Sequence, residues 1–242
     1  MNRIAENFSM GAGHYDEVVK IQPLVAAKLA AKLAGQPRRI LEIGCGTGAL
    51  SQILARRFPE AELVLTDISP PMLEICRKKL AGQASFNLMN GEFPDLSLGH
   101  FDLIVSSLAM QWFADLQGAI ARLALLLNEN GCLAFATLGS LNFLEWRELL
   151  KRLGLQAGMY DYPKSDAFPW PVGLNGKIGE EFFQESHANG LAFLKALKMI
   201  GAHSPPAGRQ PLPNAAMKRI LSASSEGFTV TYHVLYGDLT IR

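Results

Sequence analysis

Seven residues constrain this chain more than any others: Glu42-Ile43-Gly44-Cys45-Gly46-Thr47-Gly48. They stand between a short apolar run, residues 39–43, and a helical stretch, residues 50–58. An apolar run that enters glycines reads as a buried strand. Glycine lets the backbone turn sharply and approach a ligand closely. On these residues alone, a tight strand-to-helix turn with no ligand is the competing reading.

The units that follow repeat the theme. Residues 63–65 form a second strand that ends at Asp67, and Pro70 and Pro71 open a helix running to about Leu80, as proline does in a first turn. Strands are predicted at 85–89, 101–106 and 132–138, with a helix at 116–127 closed by Asn130 and Gly131. Strand alternating with helix implies a parallel sheet covered on both faces. Before it, Val18, Ile21, Val25, Leu29 and Leu33 fall at helical spacing and stop at Gly35 and Pro37. After Leu138 the pattern loosens. Helices are predicted at 142–153 and 188–200, and residues 160–179 look like a loop or lid, rich in Pro, Gly and aromatics. Strands near 178–183 and 228–241 suggest an antiparallel, hairpin-like edge.

At 242 residues the chain suits one α/β domain. Within it, residues 1–35 read as a cap helix region, 36–139 as a ligand-binding core, and 140–242 as a lid insertion with the C-terminal strands. Hydrophobic residues make up 49% and charged residues 19%, which excludes a disordered or fibrous chain. The net charge of +1 gives no global field to attract nucleic acid or a membrane surface. Cys45, Cys76 and Cys132 are odd in number and lie far apart. They read as free thiols in a reducing cytoplasm, not as a disulfide framework or a zinc site. Residues 1–10 lack the apolar region of a signal peptide, and no run of about 18 apolar residues spans a membrane. A soluble cytoplasmic protein is expected, with no metal.

Asp67 follows Gly48 by 19 residues, at the end of the next strand. An acid at this place holds a ribose diol in dinucleotide-binding and related folds, because one carboxylate can accept from two hydroxyls. Capping of the next helix is the structural alternative, and Ser69 could do that equally well. A pyrophosphate loop reads G-x-G-x-x-G. Here the spacing is Gly44-x-Gly46-x-Gly48, and Glu42 stands just before it. A buried acid repels a diphosphate but suits a ligand carrying an amino acid and a sulfonium, so S-adenosylmethionine is favoured over NAD.

Taken together, this loop and Asp67 resemble the first two motifs of the class I S-adenosylmethionine-dependent methyltransferases. Asn90-Gly91-Glu92 stands where that family usually has Asp-Ala-Glu, and residues 101–107 resemble its fourth motif. The resemblance implies a Rossmann-like, seven-stranded, mostly parallel sheet with helices on both faces and the last strand antiparallel. It also implies a cofactor site of Glu42, Gly44, Cys45, Gly46, Thr47, Gly48, Asp67, Ile68, Met72, Asn90, Gly91, Glu92, Ser107 and Leu108. Asn90 departs from the usual Asp but still offers a carbonyl to the adenine amine.

Further stretches narrow the family. Phe8-Ser9, His14-Tyr15-Asp16 and Gln22 lie near the N-terminus, residues 108–112 end in Trp112, and residues 137–141, 145–149, 194–202 and 231–236 follow in order. Jointly they resemble the malonyl-acyl carrier protein O-methyltransferases of biotin synthesis. That resemblance implies methyl transfer to the free carboxylate of a malonyl thioester, carried by acyl carrier protein or coenzyme A. A carboxylate is already ionised at pH 7, so no general base is required. What remains is in-line positioning and removal of water. Tyr15, His14, Trp112 and Arg147 are the candidates for holding the carboxylate. Lys195, Lys198, Arg209, Lys218 and Arg219 are a candidate basic surface for the acidic carrier, although such charges also serve simply as a solvated face.

Overall fold

The structure is a computed structural model and describes residues 3–156, 158–205 and 213–241. Seven strands form one sheet: β1 (Arg39–Ile43), β2 (Glu62–Asp67), β3 (Ser85–Leu88), β4 (Phe101–Ser107), β5 (Leu127–Leu138), β6 (Lys177–His187) and β7 (Phe228–Thr240). Their order is β3-β2-β1-β4-β5-β7-β6. β1 to β5 pair in parallel, and β7 runs antiparallel between β5 and β6.

Alternate residues of the central strands serve opposite faces, as the two-residue period requires. Ile40, Leu103 and Val105 pack under α3 (Ile21–Lys32), α4 (Ala49–Arg57) and α5 (Pro70–Leu80). Leu41, Ile43 and Ile104 pack on the other face, under α6 (Leu116–Ala124). Side chains cap these helices where the sequence supplies them. Ser69 accepts from Met72 N at the start of α5, and Asp115 accepts from Gly118 N at the start of α6.

Three expectations change. The periodicity of residues 18–33 predicts one helix, but the chain forms α1 (Arg3–Gly11) and the short α2 (Tyr15–Val18), then breaks before α3. Pro23 explains the break. A helix running through it would push the Pro23 ring into the carbonyl of Val19, and Val19 is instead extended at ψ 130. Residues 127–131 belong to β5 and not to the preceding helix. Leu127 pairs with Phe101 and Cys132 with Leu103, so Asn130, at φ 61, and Gly131 sit in an irregularity of the strand. Finally, β6 and β7 pair as expected but are not joined by a tight turn. The described parts of their connection carry α8 (Gly190–Met199) and α9 (Asn214–Ala223), the second of which the sequence reading did not find.

The segment read as a lid divides: Tyr160, at its start, packs edge-on against Trp112 of the segment after β4, at 5.5 Å between ring centres, and the rest lies elsewhere. Phe168 and Trp170 pack against Phe135 of β5, at 5.5 and 6.0 Å between ring centres. Helix α7 (Leu144–Arg152) precedes it and packs on β7. No helix among the described residues is long and apolar enough to cross a membrane.

Candidate active site

In the strand order, β1 and β4 lie side by side where the connections diverge to opposite halves of the sheet. A ligand crevice forms outside the carboxyl ends of the strands at such a point. The described cleft lies there. Its floor is the loop after β1, Asp67 at the end of β2, Asn90 to Glu92 after β3, and Ser107 to Ala109 after β4. All the expected cofactor residues line it except Gly48. Gly48 sits behind the floor at the N-terminus of α4 with φ 92, where a Cβ would lie 2.9 Å from the Cys76 sulfur.

The glycines have different duties. Gly44 has φ 70, and a Cβ there would stand 2.3 Å from the Ala109 Cβ, so the loops after β1 and β4 touch through it. Gly46 has φ 53 and open space where a Cβ would point, which leaves room for a ligand. Gly91 lets the third loop close on Ile43.

Two buried acids face this floor. Asp67 Oδ2 accepts from Gly46 N and Oδ1 from Ser69 N, both at 2.8 Å. Each oxygen keeps lone pairs for a further donor. Burial raises the Asp67 pKa against the pull of these backbone donors. Glu42 is 1% exposed and accepts from Ser51 Oγ at 2.6 Å. Burial pushes its pKa up to about 8, with Cys76 and Asp67 adding to the rise. Among the described residues no Lys, Arg or His lines the cleft. Such a floor repels phosphates. It accepts a ligand with hydroxyls at Asp67 and positive charge near Glu42, so the residues fit S-adenosylmethionine.

Asn90 Oδ1 accepts from Glu92 N at 3.1 Å. Glu92 Oε1 accepts from Asp115 N at 2.8 Å, so that carboxylate also shapes the loop. The Cys45 thiol donates to Gly46 O at 3.7 Å, and the Cys76 thiol, behind the floor, donates to Ser51 Oγ at 3.6 Å.

The N-terminal segment roofs the cleft. Ile4, Phe8, Tyr15 and Gln22 line it, facing Trp112 and Phe113. Polar clasps tie roof to floor: Ser9 Oγ lies 2.9 Å from Ser69 Oγ, and Asp16 accepts from Thr47 Oγ1 at 2.6 Å and from Lys79 Nζ. Burial first, then Asp67 and Asp16, hold the Tyr15 pKa well above its ordinary value, so Tyr15 is a donor and not a base at neutral pH.

Of the four substrate-holding candidates, Tyr15 and Trp112 line the cleft and His14 and Arg147 do not. The His14 side chain is 68% exposed and lies 3.4 Å from Glu17. Arg147 donates from Nε to Asn142 O and from Nη2 to Tyr160 O, at 3.0 and 3.1 Å, and so braces the turn after β5. Gln22, Met89 and Ala109 line the cleft without having been chosen as site residues. Gln22 and Ala109 carried a signal only as parts of the N-terminal pattern and of the stretch 108–112, and Met89 carried none.

A methyltransferase-domain family model matches residues 41–133, the stretch that builds the floor. The chain is similar in fold to the YcgJ protein from Bacillus subtilis, with a TM-score of 0.55 at 13% identity over 90% of this chain and 97% of that one. It is equally similar to the plantazolicin methyltransferase BpumL in complex with a pentazolic desmethylPZN analog and SAH, with a TM-score of 0.55 at 16% identity over 99% and 96%. Fold, cleft and family model together make the chain a Rossmann-like class I methyltransferase.

The sequence relatives narrow this. The chain is 44% identical to a malonyl-[acyl-carrier protein] O-methyltransferase of Magnetococcus marinus, over 98% of this chain and 92% of the relative. It is 41% identical to the biotin biosynthesis bifunctional protein BioCD of Bordetella avium, over 97% of this chain and 51% of that longer protein. The chain belongs to the malonyl-[acyl-carrier protein] O-methyltransferase family.

Proposed function

We propose that this enzyme uses S-adenosylmethionine to convert the free carboxylate of malonyl-acyl carrier protein to its methyl ester, an early step of biotin synthesis. The observation that carries the reading is the floor of the cleft: two buried acids and an open glycine turn, in a chain whose full-length relative carries that name. When bound, S-adenosylmethionine supplies a methyl group already activated on a sulfonium.

The chain's residues do the rest. Asp67 accepts the ribose hydroxyls, Glu42 balances the positive end, and Asn90 offers its carbonyl toward the adenine. Ile68, Met72, Ser107 and Leu108 shape the walls. Phe8, Trp112 and Tyr15 shut water out of the reacting end, which frees the carboxylate from hydration. No residue is assigned as a base, because the nucleophile needs no deprotonation. The carrier protein docks on the basic outer helices. Lys195 and Lys198 are exposed on α8, Lys218 and Arg219 on α9, and the two helices touch. Arg209 lies outside the described residues. The enzyme acts in the cytoplasm, in keeping with its three free cysteines.

Labelled S-adenosylmethionine with malonyl-acyl carrier protein, read by mass, tests the reading. The expected product gains one methyl, and Asp67→Ala abolishes the gain together with cofactor binding. Wild-type protein that binds S-adenosylmethionine without methylating the malonyl carrier would reject the substrate.

A further inference from the structure

An anion is the substrate of the proposed reaction, yet among the described residues no cation lines the cleft. Arg147, the cation that the sequence recommended, has its Nε and Nη2 engaged by backbone carbonyls outside it. We infer that the substrate carboxylate is gripped by neutral donors alone, the Trp112 indole N–H and the Gln22 side-chain amide, which makes Gln22 a positioning and specificity residue. The inference rests on the proposed carboxylate methylation.

Both donors are held for the task. The Trp112 ring stands edge-on between Phe8 and Tyr160, at 5.4 and 5.5 Å between centres, which fixes the direction of its N–H. Gln22 lies in the first turn of α3, immediately after the break that Pro23 imposes, so its side chain enters the cleft from the roof. Among the described residues, no other protein group takes up either donor. Tyr15 also lines the cleft and keeps its proton at neutral pH, so its hydroxyl is a further neutral donor.

Charge decides why neutral donors serve better than arginine. Methyl transfer turns a carboxylate anion into a neutral ester, so negative charge disappears along the path. A cation beside the carboxylate stabilises the reactant more than the transition state, which slows the reaction. It is then left buried beside a neutral ester with its charge unmatched. Amide and indole donors orient the oxygens and lose less as the charge fades. The same lining turns away substrates that need an ion pair for binding, and it leaves the anion's attraction to the sulfonium as the main electrostatic draw into the cleft.

The test separates binding from turnover. Binding of malonyl-acyl carrier protein to the protein saturated with S-adenosylhomocysteine is measured by calorimetry, alongside kcat and KM. Gln22→Met and Trp112→Phe keep shape and remove the donor. Each is expected to weaken malonyl binding and raise KM by about tenfold or more, as for a lost hydrogen bond to a charged group, while cofactor affinity stays within about twofold. Gln22→Lys is expected to bind the malonyl group more tightly than wild type and to turn over more slowly. Unchanged malonyl binding in both Gln22→Met and Trp112→Phe, with intact cofactor binding, overturns the clamp. A loss of cofactor affinity alone in Gln22→Met overturns the assignment of Gln22. Faster turnover in Gln22→Lys overturns the charge argument. Wild type that binds S-adenosylhomocysteine and never methylates the malonyl carrier rejects the reaction itself, a separate outcome.

Discussion

The floor and the roof of the cleft are built by different means. The floor is mostly backbone: strand ends, glycine turns and two acids locked by N–H and O–H donors. The roof is side chains on short N-terminal helices, tied down by a few polar clasps such as Ser9 to Ser69 and Asp16 to Thr47. A backbone-built floor tolerates little change and carries affinity. A clasped roof can part and reseal, which suits a site that must exclude water during reaction yet exchange its ligands.

The largest effect belongs to the floor. Gly44→Val places a branched side chain at φ 70 and drives a Cβ to 2.3 Å from that of Ala109. Cofactor binding by calorimetry is expected to fall by about a hundredfold or more, because strain and overpacking each cost on the order of 1–3 kcal/mol. Binding within a few-fold of wild type would mean that the two loops yield and that the floor is no stiffer than the roof.

Next comes the charge on the floor. The carboxyl of free Glu42 titrates at about 8, so near neutrality most of it carries a proton. A positively charged ligand favours the ionised form and lowers this pKa. Binding therefore releases a proton below pH 8, and affinity rises with pH until the free group has ionised, by at most about tenfold per pH unit. Calorimetry between about pH 6 and 7.5 in buffers of different ionisation enthalpy measures the release. Glu42→Gln is expected to flatten the dependence, and an equal slope in that variant would assign the linkage to another group. For the empty protein the sign is opposite. A carboxyl whose pKa is raised on folding opposes the fold once pH exceeds its unfolded value, and the penalty is complete above about 8.

The contrast extends to what the sequence could reveal. The floor was legible because its determinants are local: glycines at fixed offsets, an acid at a strand end, and a period that switches from strand to helix. The roof was only half legible. Tyr15 and Trp112 stood out as residues, but Asn7 meets Ser204 at 2.7 Å across almost the whole chain, and no local pattern announces such a contact. Arg147 misled for a physical reason. A guanidinium looks made for a carboxylate, yet its planar donors serve equally well to bind loop carbonyls. Of the loop with a lid's composition, Tyr160 packs on Trp112 of the cleft wall while Phe168 and Trp170 cover core at Phe135, since glycine and proline mark irregular backbone without saying what it packs on.

Opening the roof should cost less. Asp16 is about half exposed and joins Thr47 to Lys79. Asp16→Ala removes both clasps, and solvent already screens the ionic one. Ligand release, followed by stopped flow, is expected to quicken by about threefold to tenfold, corresponding to roughly 1 kcal/mol, with little change in thermal stability. A loss as large as that of Gly44→Val would show the roof to be as integral as the floor.

The smallest effect is expected outside the cleft. Lys195 and Lys198 are exposed on α8, whose C-terminal end lies against Gly11 of the roof. Lys218 and Arg219 lie on α9, where Arg219 also donates to Leu153 O at 2.8 Å. Reversing Lys195 and Lys198 together to glutamate should raise KM for carrier-bound substrate by about twofold to fivefold, in line with exposed charge pairs worth up to about 1 kcal/mol. KM for a small malonyl thioester should not move, and the difference should shrink as salt is added. The same reversal at Lys218 and Arg219 locates the carrier. An equal rise extends the docking face across both helices, whereas no rise confines it to the helix that abuts the roof. Equal effects on carrier-bound and small substrates would remove the docking role, because only the carrier's surface can sense charge outside the cleft.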